Sequence, residues 1–246
     1  MGPITIGVGG WDYAPWHETF YPKDVRKSGA LAYMAGRLGA TEINATFYRT
    51  QTPQTFRAWH DAVPEGFVFA VKAARGAAQR REAAEAAPAI ERFLHSGLAE
   101  LGDKLGPLLW QLPAGRVFDA DAFSRFLDLL PDTLDGLPLR HAIEAAHPSF
   151  DAAEALLGER GIARVILDKP GVAPADRPTA PHVYLRLQGT HAEIETGYDA
   201  PALDAWAVRL RDLARPAGRR VHAFVIAGAK ERNPAAALAL QSRIAA

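Results

Sequence analysis

Cysteine is absent from all 246 residues, which excludes disulfides, thiolate metal sites and thiol nucleophiles. A reducing, cytoplasmic setting is the expectation that follows. No run is long and apolar enough to span a bilayer. Met1-Gly2-Pro3-Ile4-Thr5-Ile6 leads into a strand pattern, with no basic segment and apolar core ahead of it, so no membrane partner is expected. Surplus charge is lacking too: Lys+Arg and Asp+Glu both number 28, for a formal net charge of zero. No global field therefore favours nucleic acid or anionic lipid, and only a local patch would serve either. What is present is ordinary for a soluble globular chain, with 48% hydrophobic and 23% charged residues.

Short apolar runs alternate with helical patterns along the chain. Strands are predicted at 4–8, 41–47, 67–72, 105–112, 139–145, 163–168, 183–189 and 220–227 from β-branched, aromatic and leucine-rich stretches bounded by turn residues. Helices are predicted at 28–38 with Ser28 as cap, 53–63 with Thr52 as cap and Pro53 in the first turn, 88–101, 123–130, 151–157, 201–213 and 235–244 after Asn233-Pro234. Between the sixth and seventh strands Pro170, Pro174, Pro178 and Pro181 argue against a helix. Eight strands separated by helices, at about 31 residues per unit, imply an α/β fold of one TIM-type (β/α)8 barrel with a reduced or missing sixth helix. No linker or composition break divides residues 1–246. The run Gly7-x-Gly9-Gly10 lacks the third glycine and the adjoining helix of a dinucleotide fingerprint.

In such a barrel the active site lies at the carboxyl ends of the strands. Polar residues gather there: Glu42 and Asn44, Lys72, Gln111, Glu144, Asp168, Arg186 and Gln188, with His147 just beyond the fifth strand. Alternation along 41–47 would put Glu42 and Asn44 on one face. Convergent polar groups around one opening predict a ligand pocket. The first loop adds Trp11, Tyr13 and Trp16, aromatic rings that are costly to expose unless they cover something.

The runs Gly10-Trp11-Asp12-Tyr13, 41–48 (Thr-Glu-Ile-Asn-Ala-Thr-Phe-Tyr), 67–72, 105–113, Glu144 to Phe150 and Tyr184-Leu185-Arg186 resemble the YecE-like family, domain of unknown function 72, over essentially the whole chain. The resemblance implies a TIM-type barrel and no particular activity. Ala146 stands where the family usually has Arg, Gln188 where it usually has His, and Ala227-Gly228 near a usual Asn pair, which marks a divergent subgroup.

Several chemistries compete for this rim. The leading expectation is a hydrolase or lyase acting on a phosphorylated sugar or nucleotide. Glu42 and Glu144 would be acid and base, while Lys72 and Arg186 would stabilise anionic charge. Asn44, Gln111, His147, Asp168 and Gln188 would orient the ligand, and Trp11 and Tyr48 would stack on it. Lys72 as an imine-forming nucleophile is a further idea, against which nearby carboxylates would hold it protonated in an ion pair. Phosphate is expected on the loops after strands seven and eight, from Gly189 with Thr190 and His191, and Gly228, Lys230 and Arg232. No cofactor is predicted; a divalent metal on Glu42, Glu144, Asp168 and His147 is the weaker alternative. The competing class is a non-catalytic binder of small anions or of a nucleic-acid strand, its bases stacked on Trp11, Tyr13 and Trp16.

Overall fold

A computed structural model describes residues 1–172, 175 and 177–245. Eight parallel strands form the barrel: β1 (Ile4–Gly9), β2 (Ala40–Ile43), β3 (Val68–Lys72), β4 (Leu105–Gln111), β5 (His141–Glu144), β6, β7 (His182–Leu187) and β8 (Arg220–Val225). The sixth strand is split. Its segment Ala163–Arg164 pairs with β5 and its segment Ile166–Asp168 pairs with β7. Between them, Val165 N donates to Ile143 O at 2.9 Å. With β1 paired to both β2 and β8, the sheet closes on itself as a TIM-type barrel.

Alternation along the strands sorts two cores. Ile6, Val8, Ile43, Phe69, Val71, Trp110, Ile143, Leu185, Leu187 and Val225 point outward and pack under the helices. These are α1 (Ala30–Ala35), α2 (Pro53–Asp61), α3 (Ala83–Leu94), α4 (Ala120–Leu127), α5 (Glu154–Glu159), α6 (Ala200–Ala214) and α7 (Asn233–Ala245). Ala40, Ala70, Leu109, Ala142, Ala163, Leu167, Tyr184 and Phe224 form a separate inner cluster. Alanine on four strands leaves room that the Tyr184 and Phe224 rings, 5.0 Å apart at their centroids, fill from the other side. The interior is a packed core rather than a pore. Gly7 is required in it, because a Cβ there would lie 2.1 Å from the Ala40 carbonyl oxygen.

Local signals explain most element starts. Thr52 accepts from Thr55 N at the head of α2 with Pro53 in the first turn, and Asp119 and Asp199 cap α4 and α6 in the same way. Three expectations need correction. Ser28 caps nothing; it lies inside a 3-10 turn, Lys27–Gly29, ahead of α1. β2 ends at Ile43, and Ala45–Tyr48 is a helical turn, so Asn44 does not continue the alternation of Glu42. Asn233 does not cap α7 but is its first residue, and its side chain ties two loops together: Thr190 Oγ1 donates to its Oδ1, and its Nδ2 donates to Ala227 O. The connection from β6 to β7 has no helix among the described residues; Pro174 lies outside them.

Candidate functional site

Glu42, Lys72, Gln111, Glu144 and Arg186 all stand on the inward face at the carboxyl ends of their strands. Arg186 is their centre. Its Nε and Nη2 donate to Glu42 Oε2 and Oε1 at 2.9 and 3.0 Å, and its Nη1 donates to Glu144 Oε2. Tyr184, two residues back on the same face of β7, donates its hydroxyl to Glu42 Oε2 at 2.8 Å. Gln111 Nε2 donates to Glu144 Oε1 at 2.8 Å. Each carboxylate oxygen thus has a partner, as buried charges require. Burial works against the Arg186 charge, but the two carboxylates outweigh it and hold the guanidinium above its ordinary value. Burial and then the Glu42 charge push the Tyr184 hydroxyl well up, so it remains a donor.

Lys72 is placed differently from the ion pair expected of it. It is 7% exposed, yet among the described residues its amine has neither a carboxylate within ion-pair distance nor a hydrogen-bond acceptor. The face of Phe47, 4.1 Å from Nζ, is its neighbour. Both glutamates are already engaged by Arg186, and that is the physical reason for the correction. Burial, then the nearby Arg186 charge, lower the amine's pKa from the ordinary lysine value; Glu42 and Glu144 pull the other way without offsetting them.

Above this cluster opens a cleft of about 380 Å³ lined by Trp11, Tyr13, Asn44, Tyr48, Lys72, Arg186 and Lys230, among others. Trp11 packs edge-on against Trp59, and Tyr48 projects at 80% exposure. Asn44 donates to Glu42 O at 3.2 Å, which holds its amide beside the cluster. Three of the five guanidinium N–H groups of Arg186 are engaged below. Two have no partner among the described residues, and Arg186 lines the cleft. Aromatic walls, a free ammonium and two guanidinium donors together suit a small anion carrying an apolar or sugar-like face.

Other expected members go elsewhere. Inward Val165 and Leu167 put Asp168 on the outer face of β6, where it accepts from Tyr198 OH and lines a separate cleft with Gly189, His191 and Trp206. Gln188 lies past the end of β7, half-buried, and does not line the mouth cleft. His147 Nδ1 accepts from Ser149 N and pairs with Ser149 Oγ, fixing the turn that begins at Pro148. His147 and Asp168 therefore do not meet Glu42 and Glu144, and no group of three or more His, Asp or Glu side chains among the described residues is arranged to hold a metal ion.

Of the residues expected to bind phosphate, only Lys230 reaches the mouth cleft. The two loops are laced to each other instead. Ala229 N donates to Thr190 O and Arg232 Nε to Ala192 O, while Gly189 N donates to Tyr198 OH within the loop after β7. A Cβ at Gly228 would sit 2.4 Å from Thr190 Oγ1, so that glycine serves close loop packing. Trp16 offers no stacking face: it is 1% exposed and its indole donates to Lys230 O at 2.7 Å. Tyr184 and Phe47 are site residues that sequence reasoning missed. The two-residue period from Arg186 signals the first, and the second comes into place only because β2 stops early.

The fold has solved counterparts. A DUF72 family protein from Thermotoga maritima is 23% identical, with 97% of each chain covered and a TM-score of 0.75. Another from Enterococcus faecalis is 18% identical, covering 100% of this chain and 99% of that one, also at 0.75. At these identities the likeness shows the barrel alone. No curated protein matches the sequence. Residues 5–246 match the model of the family described as protein of unknown function DUF72, and the chain belongs to that family.

Proposed function

We propose that the mouth of the barrel is the active site of an enzyme acting on a small anionic compound of the phosphorylated-sugar or nucleotide kind, by hydrolase or lyase chemistry. The observation that carries this reading is the division of labour between the two buried cations. Arg186 is fixed by Glu42 and Glu144 and keeps two donors for an anion. Lys72 has no partner among the described residues and faces the same cleft. In this reading Glu42 and Glu144 hold Arg186 in register, Gln111 and Tyr184 hold the glutamates, and Lys72 is the group that exchanges protons with the ligand. Trp11 and Tyr48 flank the ligand, and Lys230 and Asn44 contact its polar edge.

The test is a panel of sugar phosphates and nucleotides, with inorganic phosphate as reference. Binding is followed by tryptophan fluorescence and turnover by product analysis. Saturable binding that is lost in Lys72→Met supports the reading; binding indifferent to that substitution refutes it. Tyr48 at 80% exposure, with the exposed Lys230 lining the same cleft, favours a second reading, a platform for single-stranded nucleic acid. That reading requires affinity that falls steeply with salt and drops in Tyr48→Ala.

A further inference from the structure

Lysine amines at protein surfaces are protonated and solvated, and their lone pair is occupied by a proton at neutral pH. Lys72 differs from them in its surroundings, on geometric grounds. It ends β3 inside the barrel, where packing has removed nearly all its contact with water. The carboxylates that would be its counterions are already bidentate or paired to Arg186. Its amine nevertheless borders an open cleft wide enough for a small molecule. A buried amine with access to ligand and without a counterion is the arrangement that makes a carbonyl-directed nucleophile.

We propose that Lys72 forms a covalent imine with a small aldehyde or ketone whose carboxylate or phosphate is held by the two unengaged N–H groups of Arg186. This rests on the reading of the cleft as a small-anion site and names its substrate class. The lone pair of the neutral amine attacks the carbonyl carbon and forms a C–N bond. The C=O π electrons move to oxygen, which takes up a proton while nitrogen releases one, giving a carbinolamine. The C–O bond then breaks, and the oxygen departs as water with one further proton from solvent. The nitrogen pair closes the C=N bond, leaving a cationic iminium. No oxidant or reductant enters.

The surroundings fit the charge changes of that sequence. The Phe47 face, 4.1 Å from Nζ, accommodates a cation, so it serves the iminium as it serves the ammonium. Arg186 disfavours a second positive charge beside it in the empty site. Once its free N–H groups hold the substrate's anionic group, that repulsion is offset when the iminium forms. Tyr13, Tyr48 and Trp11 wall the cleft beside the amine.

The test uses the whole chain with borohydride as the trapping reagent and four probes: pyruvate, glyceraldehyde 3-phosphate, inorganic phosphate and a nucleotide without a carbonyl group. Intact mass followed by peptide mapping locates any reduced adduct. The expected result is one adduct per chain, on Lys72, with pyruvate or glyceraldehyde 3-phosphate, forming roughly tenfold or more faster than on surface lysines such as Lys23. Lys72→Arg, which keeps the charge, should give none, with folding checked by circular dichroism. The proposal is overturned if both carbonyl probes label no lysine, or label the surface lysines as readily as Lys72. Saturable binding of phosphate or the nucleotide alongside failed trapping would overturn the imine and leave the anion site standing. Absence of all binding would remove both.

Discussion

Acid should destabilise this protein from the end of the barrel opposite the cleft. His182 and His222 are inward residues on the neighbouring strands β7 and β8, offset by two positions in register near their amino-terminal ends, and are 5% and 4% exposed. His182 Nε2 faces His141 O at 3.1 Å, and His222 Nδ1 is buried without a partner among the described residues. Burial is the main cause that lowers their pKa values to about 4 and about 3, with Arg140 and a neighbouring histidine adding to it at each ring. Unfolded, both would titrate near 6.5. The unfolded chain therefore takes up two protons that the folded chain refuses. The stability contributed by the neutral rings is complete above about pH 6.5 and is lost as pH falls, by about 1.4 kcal/mol per pH unit for each ring. Between pH 6.5 and pH 5 the loss is roughly 2 kcal/mol per histidine and about 4 kcal/mol for the pair, against a typical total of about 5–15 kcal/mol. Urea unfolding at pH 7.5 and pH 5.0, followed by tryptophan fluorescence, measures it. The double variant His182→Gln/His222→Gln should lose about 4 kcal/mol less than the parent over that interval. A difference below about 1 kcal/mol would refute the assignment of these rings as buried and neutral.

Other consequences concern the charge cluster and its supports. Arg186→Met leaves two buried carboxylates without a counterion and should cost about 3–5 kcal/mol in urea unfolding, part of which Glu42→Gln in the same chain should restore. Tyr184→Phe removes one donor to Glu42 and should cost about 1–3 kcal/mol, with little change in the ligand spectrum. Lys72→Met removes a desolvated cation without breaking any hydrogen bond of its amine among the described residues. Its melting temperature should stay level or rise even as ligand binding is lost. Gly97, at φ +112° with Pro53 Cα 2.5 Å from where a Cβ would lie, should not accept alanine; Gly97→Ala should lower the melting temperature by several degrees.

The barrel was legible because its strands are buried on both faces, and continuous apolar runs alternating with helical patterns suit few folds besides a covered parallel sheet. The sixth connection was legible from its prolines. Side-chain direction was partly available as well: a strict two-residue period back from Arg186 brings in Tyr184, and the same period through Val165 and Leu167 turns Asp168 outward. The state of Lys72 was not available. Whether a lysine is paired depends on whether its potential partners are already taken, and the strand positions of Glu42 and Glu144 do not disclose that Arg186 engages both. The laced loops after β7 and β8 were hidden for a related reason. Glycine, lysine and arginine before a helix describe an anion nest and a closed loop junction equally well, and only the hydrogen bonds through Tyr198, Thr190 and Ala192 separate them.

The chemistry of the cleft turns on whether the glutamates belong to Arg186, leaving the Lys72 amine unpaired. An NMR titration of the lysine side-chain signals, with Lys72 assigned through Lys72→Arg, reads this directly. It should give a Lys72 pKa below that of the exposed Lys23 and Lys27, moving lower still in Glu42→Gln provided the fold is retained. A Lys72 pKa at or above the surface lysines would mean that a carboxylate holds it as an ordinary ion pair, and would contradict the unpaired amine.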